Sequence, residues 1–114
     1  MAHPKEMRKY KRVKENVNIK IDIPEKDTLT SGFEIGEAEN ISASGVLLRY
    51  DKPLEIGQII HVSFMNPNSF DMISSKAVIV RVEITPEKLW EFGVAFLDMS
   101  KEDEKHLDFY LTYL

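Results

Sequence analysis

One hundred and fourteen residues, 43% of them hydrophobic and 30% charged, predict one globular domain with a single modest core and leave no room for a second. The longest apolar runs, such as Val46-Leu47-Leu48 and Val78-Ile79-Val80, fall far short of the ~20 residues that cross a bilayer, and no apolar stretch of the signal-peptide kind follows the N-terminus, so neither membrane insertion nor secretion is expected and a cytoplasmic site is. Zero cysteines exclude a disulfide framework, a thiolate metal cage and a cysteine nucleophile.

The net charge of −4 divides unevenly. Residues 1–14 carry six cations (Lys5, Arg8, Lys9, Lys11, Arg12, Lys14) against Glu6, a balance of +5, and the remaining hundred residues carry nine against eighteen, a balance of −9. A basic arm (1–14) precedes an acidic body (15–114).

From Val17 the residues alternate strictly: Val17, Ile19, Ile21 and Ile23 are apolar and Asn18, Lys20 and Asp22 polar, the period of a half-buried strand that Pro24 ends. Phe33 to Ile41 and Val46 to Tyr50 read as two further strands, joined as a hairpin by Ser42-Ala43-Ser44-Gly45. Turn signals at Asp51-Lys52-Pro53 and Gly57 lead to a strand from Ile59 to Met65, and Asn66-Pro67-Asn68-Ser69 has the composition of another turn. Val78, Val80, Val82 and Ile84 then alternate with Ile79, Arg81 and Glu83. After Thr85-Pro86, the segment from Leu89 to Leu97 sets Trp90, Phe92, Val94 and Phe96 on one face, at core spacing. Six strands with short, helix-free connections favour antiparallel neighbours and a small barrel or sandwich. Ser100 and Asp103 have capping-box spacing, and Leu107, Tyr110, Leu111 and Leu114 fall on one face of a closing helix.

Catalytic sets are not legible. His3, His61 and His106 share no ligand spacing and read as tail, strand surface and helix surface, and Glu37 and Glu39 read as a solvated strand face. No nucleophile and base pair or phosphate-cradling glycine loop can be assembled, so an enzyme is not expected. Two segments carry more. In Arg8-Lys9-Tyr10-Lys11-Arg12 the arginines lie four apart, ~13 Å on one side of an extended chain or ~6 Å on one side of a helix. Planar guanidinium forks pair with phosphate oxygens and with the O6/N7 edge of guanine, so the two suit a compact guanine-bearing dianion, although a solvated basic tail has the same composition. In Asn40-Ile41-Ser42-Ala43-Ser44-Gly45 the short polar side chains reach a ligand edge or stabilise a tight turn, and Gly45 permits close backbone approach or positive φ.

Together, Arg8-xxx-Arg12 ahead of the first strand and Asn40-x-Ser42-x-x-Gly45 about thirty residues on resemble the PilZ domain family, bacterial receptors for the second messenger cyclic di-GMP. The resemblance extends through Val46-Leu47-Leu48, Leu54-x-x-Gly57, Ala77 to Arg81, Phe92 to Phe96 and the final helix. It implies a six-stranded antiparallel β-barrel with a short C-terminal α-helix and a basic N-terminal arm that carries Arg8 and Arg12 to a ligand on the barrel surface. Arg8 and Arg12 would take guanine and phosphate contacts, Asn40 and Ser42 would hydrogen-bond a guanine or phosphate edge, and Gly45 would keep the approach open. Many members have an arginine just before the first motif arginine; here Met7 stands there and Lys9 follows the arginine, and both are candidate ligand neighbours. Asn40 and Ser44 stand where the family commonly has Asp and Gly.

The expected function is that of a cyclic di-GMP receptor, needing no cofactor or metal, that presents a changed surface to a downstream protein when its arm closes over the ligand. It is expected as a monomer or weak dimer. One alternative keeps the fold as a PilZ-like interaction module without ligand, a type that tends to lack the arginine motif. Another is a small nucleic-acid-binding barrel, which the acidic body and the core parity of the aromatics oppose.

Overall fold

The computed structural model of the chain describes residues 17–24 and 34–112. Six strands and one helix follow in order: β1 (Val17–Asp22), β2 (Glu34–Ile41), β3 (Gly45–Tyr50), β4 (Ile59–Met65), β5 (Met72–Ile84), β6 (Trp90–Leu97) and α1 (Lys101–Thr112). The strands close into a barrel in the order β1-β2-β3-β6-β5-β4, every pairing antiparallel, with β4 returning to β1 through Lys20–Ser63, Ile21–Val62 and Asp22–His61. Closure leaves no exposed sheet edge to template association.

The alternation read from sequence fixes the inward faces. Ile19 and Ile21 of β1, Ile60, Val62 and Phe64 of β4, and Phe92 and Val94 of β6 are buried together with Ala38, Ile41, Val46, Leu48, Ile73, Ala77 and Ile79. Val17, Ile23, Trp90 and Phe96 pack against this cluster from its margins. Each fully buried aliphatic or aromatic side chain contributes roughly 1.5–3 kcal/mol. Arm residues 1–14 and Phe33 and Leu114 of the expected elements lie outside the described residues.

Two expectations change. β5 begins at Met72, six residues before the apolar alternation starts, because Asn66 holds a tight connection: its backbone carbonyl accepts from Phe70 N at 2.7 Å and its Oδ1 from Asn68 N at 2.9 Å. The single apolar face expected of Val78, Val80, Val82 and Ile84 is also corrected. Ala77 and Ile79 are the buried residues, while Val80, Val82 and Ile84 are exposed. Ile79 pairs with Val94 and Arg81 with Gly93, so Val80 is an extra residue, a β-bulge that shifts the parity of everything after it.

The helix cap forms as expected, with an added task for Asp103. Asp103 N donates to Ser100 Oγ at 3.0 Å, and Ser100 Oγ donates to Asp103 Oδ2 at 2.7 Å. Asp is too short to reach back fully to the cap backbone, and Asp103 Oδ1 instead accepts from Ser74 N of β5 at 3.1 Å. That bond pins the start of α1 to the barrel wall, and Leu107, Tyr110 and Leu111 follow into the core, Tyr110 tilted against Phe64 at 6.1 Å between ring centroids.

Candidate functional site

The turn between β2 and β3 is built by its serines. Ser42 N donates to Gly45 O at 2.9 Å, Ser44 N donates to Ser42 Oγ at 3.3 Å, and the two hydroxyl oxygens lie 3.2 Å apart. Phe96 N donates to Ser44 O at 2.9 Å, so the turn is tied to β6 as well as to its own hairpin. Gly45 pairs with Ala95, and a Cβ added to it would run into Val94 O. Glycine is therefore required here by the close approach of β6. Positive φ, the other freedom considered for this residue, is absent.

Beside the turn lies an open surface groove of about 280 Å³. Asn40, Ser42, Ser44 and Gly45 line it from the β2–β3 hairpin, with Val46 and Leu47 of β3, and Arg81 of β5 and Gly93 of β6 form its far wall. Asn40, Ser42 and Gly45, singled out in sequence, thus share one concavity. Met7, Arg8, Lys9 and Arg12 lie outside the described residues.

A bulge stands on each side of the groove. In β2, Ala38 pairs with Leu48 but Asn40 with Leu47, leaving Glu39 as the extra residue; in β5 the extra residue is Val80. Bulges kink a strand and re-aim the side chains beyond them. The first turns Asn40 to the groove, and its Oδ1 is enclosed with no hydrogen-bond partner among the described residues. An enclosed amide oxygen without a donor is costly, by about 1–3 kcal/mol, unless something else supplies one.

The sheet surface next to the groove is an acidic cluster around one arginine. Arg49 Nη2 lies 2.9 Å from Glu39 Oε1 and 3.2 Å from Glu91 Oε2, and its Nη1 lies 4.0 Å from Glu37 Oε1. Glu37 and Glu39, read from sequence as a solvated face, are thus partners of a shared cation. A hydrogen bond to Glu91, partial burial and the Glu91 charge raise the Glu39 pKa, against the pull of Arg49. The same hydrogen bond and Arg49 lower that of Glu91, against the cost of burial, so Glu39 takes up a proton before Glu91 as pH falls. Among the described residues Arg81 is the one cation lining the groove.

Sequence reading missed Arg81 and Gly93 as wall residues. Arg81 was visible as a polar position in an alternating strand and as the end of the Ala77–Arg81 segment of the resemblance, and the bulge that turns it toward the groove is silent in a run, Val78-Ile79-Val80, where every residue is apolar and β-branched.

The PilZ domain model matches residues 6–113. No curated protein matches the chain. Among solved structures, the Bacillus subtilis inhibitor of motility MotI (DgrA) superposes with a TM-score of 0.73 at 18% identity, covering 93% of this chain and 49% of that one, so the chain spans about half its length. The PilZ domain of YcgR from Escherichia coli, solved with c-di-GMP, gives 0.66 at 16% identity, covering 95% of this chain and 91% of that one. The PilZ domain of CeSA from a cellulose-synthesizing bacterium gives 0.61 at 12% identity, with 89% and 94% covered. At these identities the superpositions show the shared barrel, and the match of the family model over nearly the whole sequence shows the rest: the chain belongs to the PilZ family, a family of cyclic di-GMP receptors.

Proposed function

We propose that this protein is a receptor for cyclic di-GMP that binds the ligand over the β2–β3 groove and acts as an adaptor toward a downstream protein. The observation that carries the reading is the meeting of Asn40, Ser42 and Gly45 in one groove, with an Asn40 oxygen enclosed and unpartnered among the described residues. Guanine offers N1–H and N2–H donors, and a carboxamide oxygen accepts either; the Asn40 amide can also present its nitrogen to a phosphate oxygen. Ser42 and Ser44 add hydroxyls that donate to phosphate. The YcgR domain of the same fold is a complex with c-di-GMP, which supports the same ligand class here.

Charge gives the basic arm its role. A dianion approaching a −9 body, past Glu37, Glu39 and Glu91, meets a single lining arginine among the described residues, so the favourable field has to come from residues 1–14. Arg8 and Arg12 supply bidentate forks to phosphate and guanine, with Met7 and Lys9 as their neighbours. Closing of the arm over the ligand changes the surface offered to a partner, and the ligand can bias that change only by its differential affinity for the two arrangements. The soluble, non-catalytic receptor role needs no metal or cofactor.

Calorimetric titration of cyclic di-GMP into the parent protein and into Arg8→Ala, Arg12→Ala and Ser42→Ala tests the reading. Binding by the parent, weakened in all three variants and by added salt, is the expected result. No binding by the parent, or undiminished binding by both arginine variants, contradicts it.

A further inference from the structure

A second concavity, an open groove of about 340 Å³, lies on the β1–β2–β3 wall. Its apolar part is Ile35 of β2 and Leu89 just ahead of β6, 54% and 43% exposed. Its charged part is Glu37, Arg49 and Asp51. Arg49 is already shared by Glu37, Glu39 and Glu91, so with Asp51 four carboxylates stand against one guanidinium and the face is net negative. Asn18 also lines the groove and is one residue from Val17, where the chain from residues 1–14 joins the barrel beside Ala38.

We propose that in the ligand-free protein Arg8, Tyr10 and Arg12 lie in this groove, Tyr10 against Ile35 and Leu89 and the two arginines on its carboxylates. Charge complementarity favours that occupant over a foreign one: residues 1–14 carry six cations against Glu6 and are attached at the groove itself. Reach permits it. Tyr10 is seven residues from Val17, up to ~25 Å of chain, whereas Ile35 is three residues along β2 from Ala38, about 10 Å, and Leu89 two strands beyond, about another 10 Å. Laid out as a strand, the segment sets Arg8, Tyr10 and Arg12 on one side at steps of ~7 Å, an aromatic between two cations, which matches an apolar strip flanked by acids. Exposed ion pairs contribute about 0–1 kcal/mol each, so the contact is weak enough for a tight ligand to displace. Docking engages the same two arginines that the proposed cyclic di-GMP site requires, so the two arrangements exclude each other. That antagonism rests on the receptor reading; the docking does not.

The chain has no cysteine, so a nitroxide on Lys5→Cys is a single label, and its broadening of backbone amides by NMR locates the arm. In the ligand-free protein the amides of Ile35, Asp51 and Leu89 are expected to broaden while Lys76 and Val78 of β5, across the barrel from β2, stay sharp. The broadening is expected to disappear in the Ile35→Ser/Leu89→Ser double variant and on saturation with cyclic di-GMP. Both substitutions are at exposed positions and change no charge, so the double variant is expected to bind cyclic di-GMP about two- to fivefold more tightly in calorimetry, by the reciprocal of the fraction of parent molecules whose arm is undocked. Equal broadening on β5, broadening that survives in the double variant, or unchanged or weaker affinity in that variant overturns the docking. Broadening carried to unlabelled, isotope-enriched molecules in a mixed sample would assign the groove to the arm of a second copy and overturn docking within one chain. Selective broadening with no binding of cyclic di-GMP leaves the docking and removes the receptor reading; binding without selective broadening does the opposite.

Discussion

Two regions of the barrel, the side that carries α1 and the β2–β3 groove, use polar side chains in opposite ways. At the helix end Asp103 and Ser75 are consumed by the fold: Asp103 accepts from the Ser100 hydroxyl and from Ser74 N, and buried Ser75 Oγ donates to the Lys76 and Leu97 carbonyls at 2.7 and 3.2 Å, although His106 Nδ1 lacks a partner among the described residues. At the groove end Asn40 is brought inward by a bulge and then left without a donor among the described residues. A small barrel has little stability to give away, commonly 5–15 kcal/mol in total, and the unsatisfied enclosed oxygen is a cost that the proposed ligand would relieve. The difference teaches where substitutions should change folding and where they should change binding.

The largest effect expected is on binding alone. Arg8→Ala or Arg12→Ala removes a charge-assisted fork worth about 1.5–3 kcal/mol, so cyclic di-GMP affinity should fall by about 10- to 100-fold in each, with the urea midpoint unchanged. A shift of that midpoint would mean the arm is structural and would blur the contrast between the two ends.

Gly45→Ala should affect both properties, because its Cβ would run into Val94 O and force β3 from β6. Overpacking of this kind costs about 1–3 kcal/mol, read as a lower denaturation midpoint, and it distorts the groove floor together with the core.

A paired comparison sharpens the division most. Asn40→Ala should lower ligand affinity about tenfold with no loss of stability and a gain of up to about 1–3 kcal/mol, since no bond to a described residue is lost and the enclosed unpartnered oxygen is removed. Asp103→Ala should do the reverse, costing about 1 kcal/mol through the lost cap and the Ser74 bond, with affinity preserved. Equal stability losses in the two variants would erase the distinction.

The smallest effect concerns pH. The raised pKa of Glu39 means that the folded state favours its protonated form, a contribution present below the ordinary Glu value of 4.5 and lost as pH rises through the folded value. Glu91, with its pKa lowered, contributes in the opposite sense, above its ordinary value and progressively less as pH falls. Glu39→Gln removes the first contribution, so the variant should gain on the parent between pH 4 and pH 7, by less than about 1 kcal/mol at this partly exposed site. Urea unfolding at several pH values measures it, and a gain in the opposite direction would contradict a raised Glu39 pKa.

Much of the barrel was legible because period-two alternation writes the inward face directly, as in Val17 to Ile23 and Ile59 to Met65. The helix was legible from Ser100, Asp103 and the Leu107-Tyr110-Leu111 face. The bulges were not, since an inserted residue changes the parity of a strand without changing its composition. Glu39 passed as one more acidic residue and Val80 as one more β-branched one. The motif segment Asn40 to Gly45 was legible as a unit, whereas Arg81 and Gly93 become wall residues only through cross-strand register. The reason for Gly45 was legible only in part: close approach was foreseen, but the atom approached belongs to β6.

The most direct measurement of the central claim is calorimetric titration of cyclic di-GMP into the parent protein and the Asn40→Ala variant, with unfolding curves for both. The account predicts saturable binding by the parent, about tenfold weaker binding by the variant, and a variant at least as stable as the parent. Absence of binding by the parent, or equal affinity in the two proteins, would contradict it.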